Sequence, residues 1–201
     1  MLKIKSMPFV KLPIFSFIGL LVFYSGQTMG QEKTEREFRV KAEEVPEAAK
    51  RWVIQAFNPS NKIKWFYEET SGKSSFEAKF SHDRLNHSVE FDLSGKIEDV
   101  EVQVKWTELP EKIQDAITAY FESKFSKFRI EKVQVQYTGE PNEMIKWAKT
   151  ASSGLIQTRY EVEFYGESEN AKKLWEGLFD ENGKMLNLRE IILPAASNLF
   201  F

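Results

Sequence analysis

The sequence contains the pattern Phe-Asp-x-x-Gly-Lys twice, as FDLSGK from Phe91 to Lys96 and as FDENGK from Phe179 to Lys184. Asp-x-x-Gly between two strands is typical of a hairpin turn, because the aspartate bonds to the turn backbone and glycine accepts a positive φ angle. The two copies lie 88 positions apart (179 − 91). They therefore predict two equivalent hairpins in one chain.

A helical pattern precedes each copy and is also repeated. Seven apolar residues from Val45 to Phe57 recur at the spacing of one α-helical face. Pro46 suits the first helical turn, where its missing N–H costs nothing. The segment from Leu109 to Phe121 repeats this pattern 64 positions later (109 − 45), again with a Pro-Glu pair at its start. A repeated helix and a repeated hairpin predict two modules of the same design.

Four strand-like segments follow each helix. Alternating apolar residues, such as Phe76, Ala78 and Phe80, are typical of strands that are buried on one face. The same alternation recurs in the second half, for example at Tyr160 and Val162. The predicted strands cover 62–69, 75–81, 87–93 and 97–106 in the first half and 128–138, 158–166, 172–180 and 185–193 in the second.

The second module is longer than the first. The hairpin copies are offset by 24 more positions than the helices (88 − 64), so it contains an insertion, most of it at 138–158. Such a long connection is either functional or an extension of the flanking strands. The predicted organisation is a signal peptide at 1–30, a charged lead-in at 31–44 ending in a short strand at 38–40, modules at 45–107 and 108–193, and an apolar C-terminal tail at 194–201.

The first thirty residues have the features of a secretory signal peptide. Three lysines precede an apolar run, and the small residues Thr28 and Gly30 stand before Gln31, which suits signal peptidase. The run is too short for a comfortable transmembrane helix of ~20 residues, although retention as an N-terminal anchor stays an alternative. We therefore predict cleavage between Gly30 and Gln31, and a periplasmic or secreted protein without an integral membrane span.

Composition narrows the classes of function. Residues 1–30 hold three lysines and no acids, so the remaining chain has 25 basic (28 − 3) and 30 acidic side chains, a net charge of −5. Nucleic-acid partners normally require a basic surface, so none is predicted. The chain has no cysteine, which excludes disulfides, catalytic cysteine and thiolate metal ligation.

The order of several segments resembles that of a known family. The sequence runs from VPEAAKRWVIQAFNPSNKIKW through FEAKF and VEFDLSGKIEDVEV to LPEKIQDAITAYF, after a secretory signal. This order is similar to that of the PepSY-like family of exported bacterial proteins, which have the fold of the β-lactamase inhibitory protein and are common in Bacteroidetes. The resemblance covers about residues 45–192. It implies an α+β fold in which two tandem helix-plus-four-strand modules share a continuous curved antiparallel sheet with helices on one face. It also implies a periplasmic location and a binding or inhibitory role, and it brings no catalytic residues.

Three segments invite a catalytic or metal-binding interpretation. His82, Asp83 and His87 form a His-Asp-His set near a predicted hairpin tip, but a polar turn is the simpler interpretation because a stable metal site needs more ligands. The segment Ser152, Ser153 and Gly154 lacks the G-x-S-x-G pattern, and the acidic turn at 180–183 lacks the ligand ladder of a calcium loop. We therefore predict no catalytic residue, no metal site and no cofactor, with a periplasmic small-molecule or metal-binding protein as the alternative.

The sheet face turned away from the helices is the predicted working surface. Alternation places polar and mostly acidic side chains there, with a few apolar residues among them. Apolar anchors among charges favour binding of a protein or peptide, although scattered exposed apolar residues are also normal. The Trp-containing segment of the insertion is a second candidate contact. The predicted partner-binding residues are Phe66, Tyr165, Leu174, Leu178, Glu161, Glu163 and Trp147.

Overall fold

The structure is a computed structural model that describes residues 31–33, 35–70, 72–151, 155–168 and 171–192. The predicted signal peptide at 1–30, the apolar tail at 194–201 and the segment at 152–154 lie outside the described residues. Among the residues that are described, no helix has the length and apolar character needed to cross a membrane.

Helices and strands follow one another in nearly the predicted order. Every predicted strand from 62–69 onward is present, with ends within two residues of the predicted ones. The helices are α1 (Glu47–Ala56), α2 (Glu111–Lys124) and α3 (Pro141–Thr150). The strands are β1 (Gln31–Lys33), β2 (Glu35–Val40), β3 (Lys64–Thr70), β4 (Lys73–His82), β5 (Leu85–Phe91), β6 (Ile97–Val104), β7 (Lys127–Thr138), β8 (Gln157–Ser168), β9 (Ala171–Phe179) and β10 (Met185–Ile191).

All ten strands belong to one sheet, in the order β1-β10-β9-β8-β7-β6-β5-β4-β3-β2. Neighbouring strands are antiparallel except for β1 and β10, which run parallel. The fold is therefore α+β with a single continuous sheet. The structure corrects two expectations, since the sheet is not wholly antiparallel and the lead-in at 31–44 contributes two strands instead of one short one.

Both α1 and α2 pack on the same face of the sheet. Val102 on β6 lies directly opposite Val135 on β7, and directly opposite residues share a face. Val102 belongs to the core cluster beneath α1, and Val135 belongs to the cluster beneath α2. Fully buried phenylalanines lie within each cluster, such as Phe91 in the first and Phe164 in the second. One face of the sheet is therefore a continuous apolar core, and the other face is left for polar side chains.

The two Phe-Asp-x-x-Gly-Lys copies form the turns between β5 and β6 and between β9 and β10. In each turn, the aspartate Oδ1 of Asp92 or Asp180 accepts hydrogen bonds of 2.8–3.0 Å from backbone N–H groups two and four residues further on. Gly95 has a φ of 84° and Gly183 a φ of 78°. The predicted positive φ at both glycines is confirmed.

The insertion at 138–158 contains α3, which packs on α1 and was not predicted. Met144 is fully buried in the first core cluster, and the indole N–H of Trp52 donates to the carbonyl oxygen of Pro141 at 3.4 Å. Trp147 packs on Tyr137 with ring centroids 4.1 Å apart. The insertion therefore adds a helix to the first core instead of extending the flanking strands.

The two ends of the sheet meet at the N-terminal segment. β1 pairs with β10 at one end of the sheet, whereas β2 pairs with β3 at the other. Lys33 ends β1 and Glu35 begins β2, and two residues of extended chain span at most ~7 Å. The sheet must therefore curl until β10 and β3 come close to one another. We call β1 and β2 together the N-terminal strap.

Candidate functional site: a polar concave cavity

The inner side of the curled sheet encloses a cavity of about 880 Å³. Most of the side chains that line it lie on β3 to β8 and on β10 and alternate with the core residues, although the core residue Phe80 also reaches it. We call it the concave cavity. Its acidic lining consists of Glu68, Glu77, Glu90, Asp99, Glu101, Glu161 and Glu163.

Three of these carboxylates form a row across adjacent strands, which we call the carboxylate row. Glu77 on β4 lies directly opposite Glu90 on β5, and Glu90 lies directly opposite Asp99 on β6. Like charges in directly opposite positions destabilise a sheet. Burial raises the pKa of Asp99 well above its usual range, and the charges of Glu90 and Glu161 raise it further. Burial also raises the pKa of Glu90. The row therefore holds carboxyl groups that are costly to ionise.

Two lysines act on the carboxylate row, Lys79 on Glu77 and Lys73 on Glu90 and Asp99. The Nζ of Lys79 lies 2.6 Å from Oε2 of Glu37 on the strap and 2.8 Å from Oε2 of Glu77, and 4.8 Å from the ring centroid of Phe66. Burial opposes the charged form of Lys79, but Glu77 and Glu37 outweigh it and raise the lysine pKa. Burial likewise opposes ionisation of Glu77, yet hydrogen bonds with Glu68 and Lys79 lower its pKa. The neighbours of Glu77 therefore favour its ionised form, whereas burial opposes ionisation of Asp99.

Further ion pairs lie toward β10. Lys132 Nζ lies 2.9 Å from Oε1 of Glu163. Arg189 donates a hydrogen bond to Glu176, whose side chain is only 2% exposed. These pairs place opposite charges on the side of the cavity next to the β1–β10 joint. At the carboxylate row, the charge of Lys73 favours ionisation of Glu90 and Asp99, but burial and the neighbouring carboxylates outweigh it and raise the pKa of both.

Two glutamines complete the wall on β7. Gln134 Nε2 donates to Glu101 Oε2 at 2.7 Å, and Gln136 Nε2 donates to Asp99 Oδ2 at 3.2 Å. The carbonyl oxygen of the Gln136 side chain is buried and accepts no hydrogen bond from the part of the chain that the structure describes. Basic side chains also line the cavity, namely Lys62, Lys64, Lys73, Lys79, Lys132 and Arg189. The acceptors around Asp99, Glu90 and the Gln136 oxygen are therefore a local feature of the cavity, and they suit a group that donates hydrogen bonds and carries positive charge.

The predicted partner-binding residues fall in different places. Phe66, Glu161 and Glu163 line the concave cavity. Tyr165 and Leu174 lie directly opposite each other on the same face, but they are not part of the cavity lining. Leu178 lies directly opposite Glu161. The structure therefore brings together only part of the predicted set, and the binding role of each residue stays a prediction.

The structure corrects the predicted setting of two of these residues. Glu161 is only 8% exposed, since curling of the sheet encloses it, so it is not the exposed steering charge that a flat face would present. Trp147 lies on the helix side of the sheet, where it packs on Tyr137 beside the first core cluster. It does not share a surface with Phe66 or Tyr165.

The two histidines belong to the end of the β4–β5 hairpin, where the turn has positive φ at both Asp83 and Arg84. His87 is 7% exposed and stacks on Phe80 with an interplanar angle of 9°. Burial lowers the pKa of His87. His82 packs against His87, with ring centroids 5.7 Å apart. His87 thus has a packing role, in line with the interpretation as a hairpin turn.

Sequence reasoning missed the contribution of Glu37 to the site. Arg36, Phe38 and Val40 alternate with Glu37 and Arg39, which is the pattern of a strand with one charged face. Such a short alternation within a charged segment is a weak signal for a strand. Its position beside β3 could not be predicted from the local pattern.

The described elements define an α+β protein whose single sheet curls around a polar cavity and carries its helices on the other face. No protein-family model matches the sequence. No curated protein matches it either. Solved structures from two species of Bacteroides match the fold.

A putative periplasmic protein from Bacteroides eggerthii matches with a TM-score of 0.51 at 14% identity, covering 73% of this chain and 88% of that one. A DUF2874 family protein from Bacteroides ovatus matches with a TM-score of 0.51 at 14% identity, covering 73% of this chain and 87% of that one. A BLIP-like protein from Bacteroides fragilis gives a TM-score of 0.47 at 16% identity, covering 76% and 91%. That last score is too low to support a conclusion. The likeness to the other two concerns the fold alone.

Proposed function

We propose that this chain is an exported, non-catalytic binding protein that holds a protein or peptide partner in the concave cavity. The observation that carries the proposal is the carboxylate row, in which burial raises the pKa of Asp99 and of Glu90. A fold gains nothing from enclosing mutually repelling carboxyl groups. A positively charged occupant would relieve that repulsion and restore favourable ionisation.

The chemistry of the cavity favours Lys or Arg side chains of the partner. Charge-assisted hydrogen bonds to carboxylates are about twice as strong as neutral ones. A cavity of about 880 Å³ is at the upper end of the ~300–1,000 Å³ range of small-molecule sites, but such sites are mostly apolar. Its polar lining suits a short segment of polypeptide that brings its own hydrogen-bond donors. Phe66 supplies an apolar surface at one side of the same cavity.

The predicted export signal and the internal repetition support a PepSY-like assignment. One 3-10 helix at Ala42–Glu44 and another at Trp106–Glu108 lie 64 positions apart (106 − 42). In both, a backbone N–H donates to a glutamate three residues on at 2.8 Å. This supports two tandem modules of common design. The predicted signal peptide, and a fold similar to that of a protein described as a putative periplasmic protein, support a periplasmic location.

A small-molecule or metal-binding protein is the second candidate. Glu37, Glu68 and Glu77 offer ligand oxygens that all lie within 4.8 Å of one another. The ammonium group of Lys79 already contacts Glu37 and Glu77, so a metal ion would have to displace it. A partner that binds beside the lysine is the simpler proposal, and we prefer it.

Binding of a labelled peptide tests the proposal. A fluorescein-labelled ten-residue peptide of alternating lysine and alanine should bind at low ionic strength, whereas the glutamate–alanine peptide should not. Glu90→Gln and Asp99→Asn should each weaken binding at least ten-fold, measured by fluorescence anisotropy. Glu122→Gln is the matched control, because Glu122 is an exposed carboxylate on α2. Equal binding of both peptides, or equal loss in the control, would contradict the proposal. Zinc or calcium titration without the peptide tests the second candidate.

A further inference from the structure

The joint between β1 and β10 is the weakest lateral connection in the sheet. Three residues of β1 pair with β10 in parallel, from Gln31 with Arg189 to Lys33 with Ile191. By contrast, all six residues of β2 pair with β3 in antiparallel register. Parallel pairing is slightly less stable per residue than antiparallel pairing. The strap is thus held firmly at one end and weakly at the other.

A side-chain contact strengthens the firm end. Glu37 on β2 reaches across β3 to the ammonium of Lys79 at 2.6 Å, and Lys79 also contacts the buried Glu77 at 2.8 Å. This ion pair joins residues 42 positions apart (79 − 37). It ties β2 to the lining of the concave cavity as well as to the backbone of β3. Separation of the strap should therefore begin at β1.

We propose that the strap is a latch: the sheet opens between β1 and β10 while β2 stays on β3. Arg189 connects the joint to the site, because it pairs with Gln31 in register and also lines the concave cavity. Opening would widen the cavity from the side. A polypeptide segment could then enter laterally without threading through an open end of the curled sheet. The lateral entry rests on the proposed function, whereas the opening itself does not.

Hydrogen exchange measures the opening without any ligand. We expect amides of β1 to exchange at least ten-fold faster than those of β2, because small local openings expose them. The chain has no native cysteine, so Glu32→Cys with Glu190→Cys introduces one disulfide across the joint, at two residues that are partners in register. Oxidation should slow exchange in β1 at least ten-fold, and reduction should restore it. Equal protection of β1 and β2, or no change on oxidation, would overturn the latch.

A control disulfide and the rate of peptide association together distinguish the latch from the proposed function. Arg36→Cys with Glu69→Cys places the control disulfide between β2 and β3, where the two residues are also partners in register. The disulfide between positions 32 and 190 should slow association of the lysine–alanine peptide at least ten-fold, whereas the control disulfide between positions 36 and 69 should not. Equal association rates in the two disulfide-bonded variants would overturn lateral entry. If the unlocked protein opens but never binds the peptide, the proposed function fails and the latch stands.

Discussion

Glu90 on β5 lies directly opposite Asp99 on β6, so two carboxyl groups face one cavity from neighbouring strands. This arrangement opposes folding, because like charges repel and burial removes the water that would solvate them. Stability and function are commonly in conflict at binding sites. The pair is therefore a place where a substitution should improve the fold and impair the site.

Replacing Asp99 by asparagine should stabilise the protein at neutral pH by about 1 kcal/mol, since it removes a carboxyl group whose ionisation is opposed by burial and by Glu90. The amide keeps an oxygen that can accept the hydrogen bond from Gln136. Urea unfolding measures the change. Glu122→Gln, on exposed α2, should lie within about 0.5 kcal/mol of the parent protein. A loss of stability in Asp99→Asn would mean that the charge is compensated in the folded state.

The pH dependence of the same variant has a definite sign. The folded-state pKa of Asp99 is raised, so between the unfolded value of ~3.9 and that raised value the folded state binds more protons than the unfolded state. Stability of the parent protein therefore rises, relative to Asp99→Asn, as pH falls from neutral toward ~4. The advantage of the asparagine variant should shrink across this interval in urea melts. A constant difference would contradict the raised pKa.

Valine at Gly95 or Gly183 should destabilise the protein by more than the cost of its positive φ alone. A Cβ at Gly95 would lie 2.8 Å from the Cβ of Pro46, and one at Gly183 would lie 2.7 Å from the Cβ of Ala116. Gly72 has a φ of +90° with nothing within 4 Å of its Cβ position. Gly72→Val should thus cost about 1 kcal/mol, and the other two about 2–4 kcal/mol. Equal losses in thermal melts would rule out the close packing of turn on helix.

His87 should make stability depend on pH in the opposite direction to Asp99. Burial lowers the folded-state pKa of His87, so the unfolded state binds more protons just below its own value of ~6.5. Stability is complete above ~6.5 and is lost as pH falls below it. His87→Phe keeps a ring to stack on Phe80 and removes the titration. The parent protein should lose more stability than this variant between pH 7.5 and 5.5. Parallel curves would show that His87 takes up protons freely in the folded state.

Lys79→Met should destabilise the fold by about 2 kcal/mol, because Glu77 is left buried without its cation. The estimate lies below the ~3–5 kcal/mol of a fully buried pair, since 36% of the Lys79 side chain is exposed. Adding Glu77→Gln should recover part of the loss, because the unpaired charge is then removed. Denaturant unfolding of the two variants provides the comparison. No recovery in the double variant would mean that Lys79 acts through its contact with Phe66 instead.

Residue periodicity predicts the sheet well but not its curvature. Alternation places Glu90 and Phe91 on opposite faces, and the structure agrees, with Phe91 fully buried in the core and Glu90 in the cavity. The same alternation places Glu161 on the polar face. On a flat sheet that face would meet solvent, and only the curl makes it an enclosed lining. Curl depends on pairing between distant strands, which no local pattern encodes.

The helix α3 was missed although a signal for it was present. Pro141 stands at the first helical position, and Met144, Ile145 and Ala148 follow at helical spacing. The segment lies in an unmatched insertion, so comparison of the two halves offered no partner for it. Trp147 then attracted a binding interpretation, when its helical neighbours indicate packing. The internal repeat predicts the elements that both modules share, but it carries no information about an insertion that only the second module contains.

The strap also fixes the order in which the chain can finish folding. Gln31 pairs with Arg189, 158 positions away (189 − 31), and contacts so distant in sequence form slowly because the intervening loop must first be ordered. A chain is synthesised from its N-terminus, so β1 emerges long before the strand on which it docks. Until β10 has been synthesised, β1 would have an unpaired edge. The β1–β10 joint, on this view, is the last part of the sheet to form, and a chaperone or a neighbouring chain could compete for it until then.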